Sequence, residues 1–97
     1  VGRLICYRIA WMEDRNQVAN YEASTAKTLG AELGQKISNF GLDIMGLYGQ
    51  LEHGPAAPIK GLIHEAYLYT RGDTIAGGTS EINRNVIAMR GLGLPRG

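Results

Sequence analysis

Asn20-Tyr-Glu-Ala-Ser-Thr-Ala-Lys-Thr-Leu-Gly-Ala-Glu-Leu-Gly-Gln-Lys-Ile-Ser-Asn-Phe-Gly-Leu-Asp-Ile-Met-Gly-Leu47 decides the fold. Ala26, Gly30, Leu33, Ile37, Phe40, Ile44 and Leu47 recur at alternating steps of four and three. That spacing keeps one side of an α-helix apolar over three heptads, as in a helix packed lengthwise in a bundle. Asn20 reads as the N-cap, and Glu22 falls in the first turn, where a carboxylate complements the helix dipole. Ala23, Ala26, Gly30, Gly34 and Gly41 keep parts of the surface small. A glycine inside a helix costs roughly 1 kcal/mol against alanine, and close approach of neighbouring helices is sufficient to offset it.

Working outward, three further helical segments flank this one. The first spans about Arg3 to Arg15, with Leu4, Ile5, Ile9 and Met12 at helical spacing and a polar turn from Glu13 to Gln17. Gly46, Gly49, Gly54, Pro55 and Pro58 then mark a loop. A third helix is predicted from Pro58 or Ile59 to Arg71, with Ile59, Leu62, Ile63 and Ala66 on one face. The fourth is predicted from Ser80 to Arg90, with Ile82, Val86 and Met89 inward, Gly91 closing it and a non-helical tail after it. No stretch alternates with period two. The fold class is therefore all-α, an antiparallel bundle of three to four helices with short connections.

Ninety-seven residues make one small domain, and a hydrophobic content of 44% is that of a globular protein. Ten basic and nine acidic residues leave a formal charge of +1. Such a balance provides no electrostatic footprint for nucleic acid or an anionic membrane. No apolar run approaches the ~18 residues that span a bilayer. The single cysteine, Cys6, excludes an internal disulfide, and its neighbours Leu4, Ile5 and Ile9 predict a buried, inert thiol. Val1-Gly2-Arg3 shows no initiator methionine and no signal-peptide pattern, and reads as the middle of a longer chain.

Few residues carry chemistry. His53 and His64 have no partner at metal-ligand spacing, so no metal site is expected. Glu13 and Asp14 read as solvated carboxylates at a helix end. The distinctive feature is Gly77-Gly78 running into Thr79-Ser80-Glu81. Two glycines let backbone approach a ligand, and helix N-termini favour anions, so the loop suits phosphate or pyrophosphate. Plain turn-and-cap chemistry explains the same residues. Glu81 has a structural reason in the helix dipole, and Asp73 one as a turn residue.

The segment Ile75-Ala-Gly-Gly-Thr-Ser-Glu-Ile-Asn-Arg-Asn-Val-Ile-Ala-Met-Arg-Gly-Leu-Gly-Leu-Pro-Arg96 resembles the C-terminal signature of the acyl-CoA dehydrogenase family. Glu22-Ala-Ser-Thr-Ala-Lys27 and Asp43-Ile-Met-Gly-Leu-Tyr-Gly49 are similar to that family's long helix and the turn after it. The resemblance spans nearly the whole chain and makes residues 1–97 a single C-terminal helical domain, a fragment of a longer protein. It lacks the family's N-terminal domain, central β-domain and first bundle helix, so the bundle would be an incomplete version of a four-helix one. The family implies a flavoprotein that α,β-dehydrogenates an acyl-CoA thioester. A carboxylate removes the pro-R α-proton, the β-hydride passes to N5 of FAD, and an electron-transferring flavoprotein takes the electrons. It implies a homo-oligomer of the bacterial cytoplasm or mitochondrial matrix, and a fragment inactive by itself.

Residue by residue, Thr79 and Glu81 match positions that contact FAD at the loop-to-helix junction. Asp43, Gly46, Leu47 and Gly49 match the turn that reaches a neighbouring subunit's FAD. Two departures stand out. Gly77 occupies the place where many relatives carry the catalytic Glu, which leaves no catalytic side chain here; its N–H could still polarise the thioester carbonyl. Other branches place the base on the absent first bundle helix. Asp43 and Leu47 replace the family's Gln and second Gly, and a carboxylate beside a pyrophosphate is unfavourable. A non-catalytic, family-like subunit or helical assembly module is the alternative these departures suggest.

Overall fold

The computed structural model describes residues 1–96. Its helices are α1 (Gly2–Asp14), α2 (Asn20–Met45), α3 (Leu62–Asp73) and α4 (Ser80–Val86), with no strand among the described residues. The all-α reading of the sequence holds. Two compact units are present: Val1–Gly30 with the segment from Gly77 onward, and Ala31–Ala76. α2 runs from the first into the second.

In the first unit, α1 and α4 both lie antiparallel to the start of α2. Arg8 Nη2 reaches Glu22 Oε1 at 3.3 Å, while Gly2 approaches Leu29. Lys27 meets the carbonyl of Gly78, while Gly91 packs on the ring of Tyr21. A Cβ on Gly91 would stand 3.2 Å from that ring, so glycine serves close approach there. Burial pushes the Glu22 carboxyl up. Hydrogen bonds from its own backbone, Tyr21 and Arg8, with the Arg8 charge, outweigh that and hold it below the ordinary value.

α1 ends as a polar turn should: Asn16 takes φ 56, left-handed, and donates to the Glu13 carbonyl. At the far end, α4 widens into a π-turn over Ile87–Gly91, and Leu94 N–H bonds back to Ala88. The left-handed residue that closes it is Gly93, φ 68, not Gly91 as expected. Gly91 is still within the helical turn, and its missing side chain leaves room for the Tyr21 ring.

In the second unit, α3 lies antiparallel to the rest of α2. Gln35 Nε2 donates to the Thr70 carbonyl and the Thr74 hydroxyl, both at 3.0 Å, and Ser38 Oγ sits 3.1 Å from Thr70 Oγ1. Further along, Gly41 faces Ile63 so closely that a Cβ would stand 3.0 Å from its Cγ2. The small residues of α2 therefore admit α3, as the sequence suggested. α3 begins later than expected. Pro58–Gly61 is a tight turn in which Ile59, Lys60 and Gly61 are all left-handed, with φ 49, 56 and 78. A Cβ on Gly61 would overlap the Glu52 carbonyl oxygen, so the chain can cross here only as glycine.

The expected apolar seam is where the structure departs furthest. Leu33, Ile37, Phe40 and Ile44 do line one side of α2, yet they are 49%, 59%, 66% and 69% exposed. Leu47 lies beyond the last residue of α2, in a 3-10 turn over Gly46–Gln50, and so leaves the helical register. What α2 buries is small or polar: Glu22, Ser24, Thr28, Ala31 and Ser38. Asn20 is the first helical residue instead of the cap. Leu4 and Cys6 are exposed too, since α1 turns Ile5, Ile9 and Met12 inward, and Ile82 of α4 is 56% exposed. Close helix packing selects small side chains at the contacts within this chain and leaves the large apolar ones facing out.

Candidate functional site: the Gly77–Glu81 loop and the Asp43–Gly49 turn

Gly77 and Gly78 are both left-handed, with φ 66 and 90, a pair of conformations that L side chains rarely adopt. The Gly78 carbonyl is then held by two donors, Lys27 Nζ at 2.6 Å and Asn83 Nδ2 at 2.9 Å. Asn83 also donates to the Thr79 carbonyl at 3.0 Å and is buried. In a trans peptide the C=O and the following N–H point in opposite directions. Pinning the Gly78 oxygen onto Lys27 and Asn83 therefore turns the Thr79 N–H away from them.

Thr79 is the N-cap of α4: extended at ψ 161, its Oγ1 accepts the Ile82 N–H at 3.2 Å. The Glu81 carboxyl is held below its ordinary value, first by its own backbone N–H, then by Thr79, with the charge of Arg84 adding to both. Glu81 is thus an exposed, ionised first-turn carboxylate that complements the helix terminus. Ser80 is buried, and its Oγ has no hydrogen-bond partner among the described residues. Asp73 ends α3 and belongs to the other unit.

The turn lies in the second unit. Gly46 is left-handed at φ 55 and open to space, whereas Gly49 is buried against Leu42 and Met45. Asp43 is exposed, and Leu47 is 82% exposed. No Lys or Arg occurs between Gly41 and Gln50. An acidic turn without a cation does not suit an anionic group.

The sequence singles out Gly77, Thr79 and Glu81 but not Lys27 and Asn83, whose side chains hold the loop. Asn83 had a faint signal, an amide one turn into a helix after a Gly-Gly. Lys27 had none, because 51 residues separate it from Gly78. His53 and His64 do share a surface depression of ≈ 460 Å³ with Glu52, Lys60 and Glu65. No group that could hold a metal ion occurs among the described residues. Among the described residues no helix is long and apolar enough to cross a membrane.

Comparison with known proteins adds the following. A family model of the acyl-CoA dehydrogenase C-terminal domain matches residues 1–92. The acyl-CoA dehydrogenase IpdE1 of Mycolicibacterium smegmatis is 40% identical over 74 residues, which is 75% of this chain and 18% of that protein. Its namesake in Mycobacterium tuberculosis is 36% identical over 91 residues, 93% of this chain and 23% of that protein. The solved Tcur3481-Tcur3483 steroid ACAD matches with a TM-score of 0.89 at 25% identity, over 99% of this chain and 25% of that one. The ChsE4-ChsE5 complex from Mycobacterium tuberculosis matches with a TM-score of 0.87 at 29% identity, over 99% and 25%. The chain thus spans less than a quarter of the length of these two curated relatives.

Proposed function

The chain belongs to the acyl-CoA dehydrogenase family, as its C-terminal helical domain, and from that premise we propose that it serves an FAD-dependent α,β-dehydrogenation of an acyl-CoA thioester. Its share is to contact the flavin and to assemble with other chains. The observation that carries this reading is the family match over residues 1–92, whose most specific motif falls on the Gly77–Glu81 loop. FAD, when bound, would supply the acceptor for the substrate's β-hydride.

The loop fits a flavin's polar edge. Gly77 and Gly78 admit close backbone approach, the Thr79 N–H is turned out from Lys27 and Asn83, and Ser80 Oγ is an orphaned buried hydroxyl. Thr79 and Glu81 would hold the group from the junction, with Thr79 helping to keep Glu81 ionised. The Asp43–Gly49 turn fits less well, since Asp43 brings negative charge without a cation beside it. We assign it no pyrophosphate contact. Gly77 has no side chain to move a proton, and Glu81 is committed to its helix terminus, so the base lies outside these residues. The Gly77 N–H is left to polarise the thioester carbonyl. The acyl group would be of the steroid type, by analogy with the solved steroid ACAD that the chain resembles. An electron-transferring flavoprotein would reoxidise the enzyme.

The test is to purify the protein carrying this domain and titrate it anaerobically with acyl-CoA thioesters, following the flavin absorbance. Retained flavin that bleaches is the expected result. No flavin, and no bleaching with any thioester, would overturn the reading. A second reading, a non-catalytic family-like subunit, rests on Gly77 standing where a carboxylate is expected. Co-purification with an active relative, with activity retained in Thr79→Ala and Glu81→Ala, would favour it.

A further inference from the structure

Two donors converge on the Gly78 carbonyl oxygen, and they differ in kind. The Asn83 amide, at 2.9 Å, is neutral and buried, and it also holds the Thr79 carbonyl at 3.0 Å. The Lys27 ammonium, at 2.6 Å, carries a full charge, and its bond is at the short end of the charge-assisted range. The lysine stem runs beneath the glycine pair: a Cβ on Gly77 would stand 3.9 Å from Lys27 Cε. Starting α4 requires none of this, because Thr79 Oγ1 caps the helix by accepting the Ile82 N–H. Asn83 is enough to fix the orientation of the Gly78–Thr79 peptide. What Lys27 adds is a cation on that peptide's oxygen.

We propose that Lys27 is a positioning residue for the flavin, acting through the Gly78–Thr79 peptide to make the Thr79 N–H a stronger donor. This deepens the flavin reading above and rests on it. The C=O and N–H of one peptide share a plane and point opposite ways, so a charge placed on the oxygen faces away from the ligand side. It still acts there, because a cation at the oxygen draws electron density from the nitrogen and polarises the N–H bond. Chained hydrogen bonds strengthen one another in this way. A stronger donor at a flavin's polar edge favours the electron-rich reduced form over the oxidised one. Lys27 thus raises both the affinity for FAD and its potential, while Asn83 supplies the geometry.

The test uses the purified protein carrying this domain, with FAD as the probe. Its dissociation constant and midpoint potential are measured for the wild type, Lys27→Met, Lys27→Gln and Lys27→Arg, with circular dichroism to check the fold. Lys27→Met should weaken FAD binding by about tenfold, the scale of one lost charge-assisted hydrogen bond. It should also move the midpoint of the flavin that remains bound to a more negative value. Lys27→Gln, a milder change that removes the charge but keeps an amide donor, should move the midpoint the same way. Lys27→Arg should restore both quantities. A tether that merely holds the loop would lower affinity and leave the midpoint where it was, and that result would overturn the proposal. So would a Lys27→Met protein that matches the wild type in both measurements, which would leave the flavin reading standing. A wild type that binds no FAD would instead overturn the flavin reading and the role of Lys27 with it.

Discussion

Lys27 Nζ donates a 2.6 Å hydrogen bond to the carbonyl oxygen of Gly78, fifty-one residues further along the chain. The ammonium group ties the part of α2 that lies in the first unit to the loop that precedes α4. With Asn83 it saturates both lone pairs of one carbonyl, and so sets the orientation of the next N–H. A charged donor on a partly exposed carbonyl contributes about 1 kcal/mol. Lys27→Met should lower the melting temperature by several degrees and speed amide exchange at Thr79. Lys27→Arg should restore most of both, since it keeps a cationic donor. Unchanged exchange in Lys27→Met would count against the tether.

Thr79 accepts the Ile82 N–H and also helps hold the Glu81 carboxyl below its ordinary value. Thr79→Val keeps the shape and removes the cap, which should cost about 1 kcal/mol. Thr79→Ser should cost a few tenths. The check is chemical denaturation of the three proteins side by side.

The same residue sets a pH dependence. Glu81 is held below the ordinary value of its carboxyl, so its ionised form is preferred in the folded state. The stability it adds is present above the unfolded carboxylate pKa and is lost as pH falls through the lower, folded one. In Thr79→Val the Glu81 pKa should rise, because its second-largest cause of lowering is gone, while its backbone bond keeps it below the unfolded value. Carboxyl titration by NMR checks the direction, and a Glu81 pKa unmoved by the substitution would refute the coupling.

Gly61 is left-handed at φ 78, and any side chain there would overlap the Glu52 carbonyl oxygen. The obstacle is backbone, which cannot swing aside as a side chain can. Gly61→Ala should therefore cost about 2–4 kcal/mol, combining left-handed strain with the clash. A urea midpoint close to that of the wild type would show that the Pro58–Gly61 turn can be redrawn.

Gly34 and Gly41 separate two effects that share one helix. A Cβ on Gly34 would meet only the Thr70 methyl, at 3.4 Å, which is ordinary contact. Gly34→Ala should gain about 0.5–1 kcal/mol of helix propensity. At Gly41 the Cβ would press two carbons of Ile63, at 3.0 and 3.2 Å. Overpacking there costs about 1–3 kcal/mol, so Gly41→Ala should be net destabilising. Melting curves of opposite shift are the expected outcome.

Local pattern was enough for the helices. Alternating steps of three and four, capping residues and glycine breaks located α1, α2 and α4 to within a residue or so at their starts. The left-handed pair Gly77-Gly78 before a Thr cap was likewise readable, because turn chemistry is a property of neighbours in sequence. α3 was misjudged at its start, since three consecutive left-handed residues including Ile59 are not a local preference. Only the Glu52 backbone passing against Gly61 shows why glycine must end that turn.

Burial could not be read the same way. Periodicity assigns Leu33, Ile37, Phe40 and Ile44 to one side of α2, but a stripe says nothing about whether its cover belongs to the same chain. In this fold α3 approaches through Gly34, Ser38 and Gly41 instead, and the stripe stays open. The sequence by itself determined an all-α chain, its family and the loop that carries the family's signature, because these depend on residues near one another. Tertiary structure alone decided that Lys27 and Asn83 hold that loop and that α2 buries small or polar residues. Both follow from contacts between segments far apart in the chain, whose partners are chosen by shape and distance once the helices pack.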